Sequence, residues 1–194
     1  MERVDAALLS RGLVESLALA RALVMEGRVY LGEEKVTKPS QAARPGLPLS
    51  VRGELSAYVS RGAHKLRRAL EAFAIDVAGR VCIDVGASTG GFTDVMLRQG
   101  AACVYAVDVG YGQLHWRLRS DPRVRVLERT NARFLKREMF APAPSFGATD
   151  VSFISLKAVL PSALAVLAPG GRFVALIKPQ FEAKREDVGE RGVV

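Results

Sequence analysis

The spacing of apolar residues divides the chain into two textures. At the start Val4, Leu8, Leu9 and Leu13 follow three- and four-residue steps, interrupted at Gly12, which predicts a first helix with those residues on its buried face. A second helix is predicted over 16–26, with Leu17, Ala20, Leu23 and Val24 on one side, Ser16 as N-cap and Gly27 just past the end. Short strands at 28–31, 35–37 and 49–51 follow, with turns at Gly32-Glu33 and Pro45-Gly46. From Val81 onward strands alternate with helices. Strands are predicted at 81–86, 102–108, 124–127, 148–154 and 172–177, and helices at 92–99 and around Leu160, Leu164 and Leu167. That alternation is the pattern of a doubly wound, mostly parallel α/β sheet with helices on both faces. The expected organisation is a small α+β domain at 1–58, a linker at 59–63 and the α/β domain at 64–194.

Composition narrows the class. Apolar residues make up 49% of the 194 and charged ones 25%, so the chain can bury a core and is not a disordered polymer. Cys82 and Cys103, the only cysteines, lie in apolar runs and read as reduced core residues. The longest uncharged stretch, 158–171, contains Pro161 and Pro169 and is too short to span a bilayer. No basic-then-apolar leader opens the chain, so a soluble cytoplasmic protein without membrane association is expected. His64 and His115 have no ligand pattern around them, and no metal site is expected. Oligomeric state is not legible.

The formal net charge of +8 is unevenly placed. Residues 1–60 are nearly balanced, whereas Arg61, Lys65, Arg67 and Arg68 form one basic cluster and the stretch 117–137 another. Two such clusters suit a polyanion, because neutralising phosphates releases counterions. Arg61, Arg67, Arg68, Arg133 and Arg137 are therefore expected to meet nucleic acid.

The strongest chemical signal is Asp84-Val85-Gly86-Ala87-Ser88-Thr89-Gly90-Gly91-Phe92, a glycine-rich turn between a strand and a helix. Ligands of such sheets bind beyond the carboxyl ends of the strands. The glycine spacing differs from the dinucleotide fingerprint, and Asp84 at the strand tip suits a cationic group rather than a pyrophosphate. Asp108, at the next strand tip, is placed to accept from ribose hydroxyls. The combination favours S-adenosylmethionine over a nicotinamide dinucleotide or a purely structural turn, with Asp84, Gly86, Ala87, Ser88, Gly90, Gly91, Asp108 and Asn131 as its expected contacts. Trp116 is expected to pack rather than stack on a base, and Phe92 to be core. A second constellation is Lys65, just before the first helix of the α/β domain, with Asp150 and Lys178 at neighbouring strand ends.

Two resemblances follow from these residues. Arg3-Val4-Asp5, Gly12, Ala20-Arg21-Ala22-Leu23-Val24, Gly27-Arg28-Val29-Tyr30 and Val36-Thr37-Lys38-Pro39-Ser40 resemble the alpha-L RNA-binding motif, which implies RNA contacts at Arg3, Arg21 and Lys38. The motif's usual Ser-Arg pair reads Ser16-Leu17 here. The block 60–66, the Asp84–Asp94 block, Ala106–Gly110, 150–156 and 178–182 together resemble the TlyA family, haemolysin-A-like proteins related to FtsJ-type ribose methyltransferases. That resemblance implies a Rossmann-like S-adenosylmethionine-dependent methyltransferase acting on a cytidine 2′-hydroxyl of ribosomal RNA, free or in ribosomal subunits. It places Lys65, Asp150 and Lys178 on the first three positions of a Lys–Asp–Lys–Glu tetrad. It also implies seven strands where five are counted, and the tetrad's Glu has no counterpart before Val194, so a C-terminally incomplete domain with slow turnover is expected. Glu182 is not that acid. The alternative readings are a non-catalytic RNA-binding or ribosome-assembly factor on the same fold and, more weakly, a haemolysin.

Overall fold

The structure, a computed structural model, describes residues 2–14, 16–52, 58–189 and 192–194. The chain divides into two compact units, Met1–Leu55 and Ser56–Val194.

In the first unit, helices α1 (Val4–Ser10) and α2 (Leu17–Met25) precede a three-stranded antiparallel sheet of β1 (Val29–Leu31), β2 (Glu34–Lys35) and β3 (Leu49–Val51), in the order β2-β1-β3. Ser16 caps α2 by accepting from the Leu19 N–H. Val4, Ala7, Leu8, Leu23, Val24, Val29 and Val36 form the core. Leu9 and Leu13, expected inside, are 38% and 37% exposed. Helix α1 stops at Ser10, so Leu13 lies outside it, and the buried face turns through Val4, Ala7 and Leu8.

The same face buries a charge. Asp5 is 1% exposed and accepts from Arg3 at 3.0 and 2.8 Å and from Arg21 at 3.0 Å. The Arg3 bonds hold its carboxyl down to about 2 against the opposing pull of burial, with Arg21 adding to the depression. The folded state therefore binds this proton less readily than the unfolded chain. The resulting stability is present above about pH 4 and lost as pH falls through about 2. Asp5→Asn should destabilise the first unit by roughly 1–2 kcal/mol, the arginine ends being half in water and screened. Faster hydrogen exchange across α1 and α2 at neutral pH, without change in the second unit, checks it.

In the second unit, α3 (Ala63–Ala72) leads into five parallel strands: β4 (Val81–Val85), β5 (Cys103–Val107), β6 (Val124–Leu127), β7 (Phe146–Thr149) and β8 (Arg172–Ala175). Their order is β6-β5-β4-β7-β8, and every pairing is parallel. Between them run α4 (Gly91–Arg98), α5 (Trp116–Arg119) and α6 (Leu156–Ala165), and α7 (Pro179–Glu182) follows β8. Alternate strand residues serve opposite faces. Cys82, Val104, Ala106, Phe146 and Ala148 pack beneath Leu66, Leu70, Val95 and Met96 of α3 and α4. Ile83, Val85, Tyr105 and Val107 pack beneath Val159, Ala163, Leu135 and Phe140 on the other side.

Several expected boundaries move. The strand predicted at 148–154 is β7, ending at Thr149, whose hydroxyl donates to the Val85 carbonyl at 2.8 Å; Asp150 and the residues after it form a turn. The helix predicted around Leu160, Leu164 and Leu167 starts earlier, at Leu156 after the Ser155 cap. Its buried face is therefore Leu156, Val159 and Ala163, and Leu164 is 49% exposed. Lys65 lies within α3, whose first residue is Ala63, rather than ahead of it. Residues 59–63, expected as a linker, lie in the second unit, and the Val59 N–H donates to Asp94 at 2.9 Å.

Candidate active site

Because β5 and β7 flank β4 on opposite sides, the strand order reverses beside β4, and the carboxyl ends open there into a cleft of about 730 Å³. Its floor is the turn between β4 and α4. Gly86 has φ +83°, and a Cβ on it would meet Val151 Cγ1 at 2.8 Å. Gly90 has φ +95° and caps α4 in the left-handed region; a Cβ there would run into Leu118 and meet Leu114 Cδ1 at 2.8 Å. A Cβ on Gly91 would strike the Ser60 hydroxyl and the Ala63 backbone nitrogen, the latter at 3.0 Å. These glycines are demanded by close packing of protein on protein, where the sequence pattern suggested room for a ligand. Gly86, Ala87, Ser88 and Gly91 line the cleft, and Gly90 does not.

Three carboxylates face the cleft in different ways. Asp84 is 1% exposed, and one of its oxygens accepts from the Thr93 N–H at 2.9 Å and the Thr93 hydroxyl at 2.7 Å. It anchors the first turn of α4, a role the bare pattern did not reveal. Burial raises its pKa to about 7, opposed by the Thr93 bonds and aided by Asp108 and Asp150. The folded state thus holds this proton more tightly than the unfolded chain, and stability of the second unit falls as pH rises from about 4 to about 7. Asp121, Glu128 and Glu182 shift the opposite way, lowered first by the hydrogen bonds they accept from Arg123, Arg119 and Ser155. Asp84→Asn should flatten that decline between about pH 4 and about pH 7. Denaturant unfolding followed by Trp116, the single tryptophan, checks it.

Asp108, just past β5, accepts from the Ser88 N–H and the Gly110 N–H, each at 2.7 Å. Each oxygen keeps further acceptor capacity, as a nucleoside diol requires. Asn131 also lines the cleft, its side-chain oxygen accepting from the Arg133 N–H.

Asp150 lies between two lysines. Lys65 Nζ donates to Oδ2 at 2.8 Å, and Lys178 Nζ is 2.7 Å from Oδ1. Lys178 also donates to the Ser152 hydroxyl at 2.6 Å and the Asp150 carbonyl at 3.3 Å. The two ammonium groups differ in setting: the Lys65 side chain is 47% exposed and that of Lys178 18%. All three residues line the cleft, 85 and 28 positions apart in the chain. Two cations around one anion at a cleft rim can stabilise a developing negative charge on an incoming hydroxyl.

Two residues at this rim were not singled out by sequence. Ser152 is the hydroxyl partner of Lys178. Phe153 is 91% exposed with φ +63°, its ring 5.2 Å from that of Phe181. Both belong to the quoted 150–156 block, but nothing in their residue types marks a left-handed turn there.

Of the expected RNA contacts, Arg3 and Arg21 are tethered to Asp5, and Arg67 lies 3.5 Å from Glu71. Arg61, Arg68, Lys38, Arg133 and Arg137 are exposed, and none of the eight lines the cleft. Trp116, expected to pack, is 52% exposed and stacks on His115 at 6.0 Å. Phe92 is core, at 5% exposure.

Comparison with known proteins adds independent findings. The FtsJ-like methyltransferase model matches residues 58–194, and the S4 domain model matches residues 2–48. The chain is 52% identical to the 16S/23S rRNA (cytidine-2′-O)-methyltransferase TlyA of Mycobacterium tuberculosis, over 99% of its own length and 72% of the relative's. It is 41% identical to Hemolysin A of Brachyspira hyodysenteriae, over 99% of its length and 80% of that protein. A solved structure of a candidate hemolysin from Streptococcus thermophilus superposes with a TM-score of 0.72 at 48% identity, covering 98% of this chain and 70% of that one.

Proposed function

Since the chain belongs to the FtsJ-like methyltransferase family, in its TlyA group, we propose that it transfers a methyl group from S-adenosylmethionine to a cytidine ribose 2′-hydroxyl of ribosomal RNA. The observation that carries this reading is the Lys65–Asp150–Lys178 arrangement at the carboxyl ends of β4, β7 and β8. The cleft's donor set fits the cofactor: Asp108 offers acceptors for a ribose diol, and the carboxylates of Asp84 and Asp150 face the same space as a cationic tail would. When bound, the cofactor supplies an electrophilic methyl group on a sulfonium.

The chain's own residues then have two tasks. A ribose hydroxyl is a weak nucleophile; as its oxygen takes the methyl group in place of sulfur, its proton passes to water at the cleft mouth, and negative charge grows on the oxygen as the proton leaves. Lys178, fixed by Asp150 and Ser152, and Lys65, tied to the other oxygen of the same carboxylate, bring two positive charges to that oxygen. Asp150 keeps the two ammonium groups from separating and is the positioning group for both. The first unit supplies RNA docking through Arg3 and Arg21, pre-oriented on Asp5, and through Lys38. Arg61, Arg67, Arg68, Arg133 and Arg137 extend the phosphate contacts.

Transfer of labelled methyl from S-adenosylmethionine to ribosomal subunits and to free rRNA, with enzyme in excess so that a slow single turnover is still seen, tests the reading. Label in rRNA is expected. Cofactor binding with no label in either substrate would favour an RNA-binding factor on the same fold. Among the described residues no helix is long and apolar enough to cross a membrane.

A further inference from the structure

Glu182 sits at the end of α7 and reaches back across the chain to the segment after β7. One carboxylate oxygen accepts from the Ser155 hydroxyl at 2.6 Å, the other from the Leu156 N–H at 2.7 Å, a bond between residues 26 positions apart. Leu156 is the first residue of α6, and its N–H is one of the donors a helix leaves without an internal partner. Ser155 already caps its own helix by accepting from the Lys157 N–H at 3.1 Å. Glu182 is therefore a second cap, delivered from another element.

The same two segments also meet elsewhere, beyond the Lys178 contacts with Asp150. Lys178 Nζ donates to the Ser152 hydroxyl, and the rings of Phe153 and Phe181 lie 5.2 Å apart. The turn after β7 is thus fastened at both ends and in the middle to the segment that carries Lys178. Between the fastenings Phe153 holds φ +63°, a conformation an aromatic residue rarely adopts, with 91% of its surface in solvent. Burial of Phe153 does not hold that conformation. The fastenings do.

We propose that Glu182 is a positioning residue for the reaction: through Ser155 and Leu156 it fixes the turn that begins at Asp150, and with it the placement of Asp150 against Lys178. This rests on the methyl-transfer reading above, but the fastening itself can be read without turnover. In an ordinary helix cap, loss of Glu182 would lower thermal stability and leave the rate alone.

The test compares the full chain with Glu182→Ala and Glu182→Gln in single-turnover transfer, cofactor titration calorimetry and hydrogen exchange of the 150–156 peptide. Glu182→Ala should slow transfer by about tenfold to a hundredfold, the range expected when reacting groups shift by about an ångström, with cofactor affinity unchanged. Glu182→Gln should return the rate to within about threefold of wild type, because its amide accepts from the Leu156 N–H and donates to the Ser155 hydroxyl. Exchange of the peptide should rise in the alanine variant and recover in the glutamine variant. A rate unchanged in Glu182→Ala, or equally slow in both variants, would overturn the proposal. If the wild type transfers no methyl, the functional reading fails by itself, and unchanged exchange in Glu182→Ala then overturns the fastening separately.

Discussion

Lys178→Ala is expected to slow methyl transfer by about 10²–10³-fold, the loss seen when one preorganised electrostatic partner of a developing oxyanion is removed. The size follows from setting. Lys178 is the less exposed of the two lysines, at 18% against 47% for Lys65, and it is held by Asp150 and by Ser152 at 2.6 Å. Its charge acts where water screens least. Lys65→Ala should therefore cost less in rate than Lys178→Ala. Lys178→Arg should not restore activity, because a planar guanidinium cannot occupy the compact site between the Asp150 carboxylate, its carbonyl and the Ser152 hydroxyl. Cofactor affinity should change little in any of these variants, since the Asp108 contacts with Ser88 and Gly110 remain. Single-turnover rates beside calorimetric cofactor titrations separate the two effects.

Gly90→Ala is expected to destabilise the second unit by roughly 2–5 kcal/mol, from left-handed backbone strain and overpacking together. Gly90 has φ +95°, and the added methyl would run into Leu118 and crowd Leu114. Both leucines are buried, at 4% and 6% exposure, and Leu118 belongs to α5. The change would push α5 off the start of α4, a large part of the 5–15 kcal/mol by which domains are typically stable. Gly112→Ala is the control: φ is +70°, but nothing lies within 4 Å of the added carbon, so only backbone strain, about 1–2 kcal/mol, is expected. Trp116 opens α5, so its fluorescence in denaturant reports the element in question.

The layered sheet was legible because its strands are apolar and its turns carry glycine. Val81–Val85, Cys103–Val107 and Val124–Leu127 differ from the expected spans by at most one residue at either end. The end of β7 was not, because Asp150-Val151-Ser152-Phe153-Ile154 keeps β-branched and aromatic residues through a turn that Phe153 makes at positive φ. The phase of α6 was missed for a related reason: three leucines at helical spacing outweighed the Ser155 cap that sets where the helix begins. At the site, residue types and strand tips brought out Asp150, Lys178 and Asp108, and Lys65 was read beside them from the block ahead of the first helix of the α/β domain. Their neighbours Ser152 and Glu182 were hidden, since a bond between positions 26 apart leaves no local periodicity. Asp84 was placed correctly on its strand, yet its bond to Thr93, nine positions on, makes it an anchor of α4. Asp5 left no sign of its burial: an acid beside an arginine in a first turn is ordinarily a solvated pair.

The most direct measurement concerns the atom that receives the methyl group. A 2′-O-methyl blocks alkaline cleavage at its own nucleotide, whereas a methylated base does not. Ribosomal RNA labelled by the wild-type chain, hydrolysed in alkali, should release the label in an alkali-resistant dinucleotide with a methylated cytidine at its 5′ position, and Lys178→Ala should deplete that product. Label released in mononucleotides would place the methyl on a base and contradict the account.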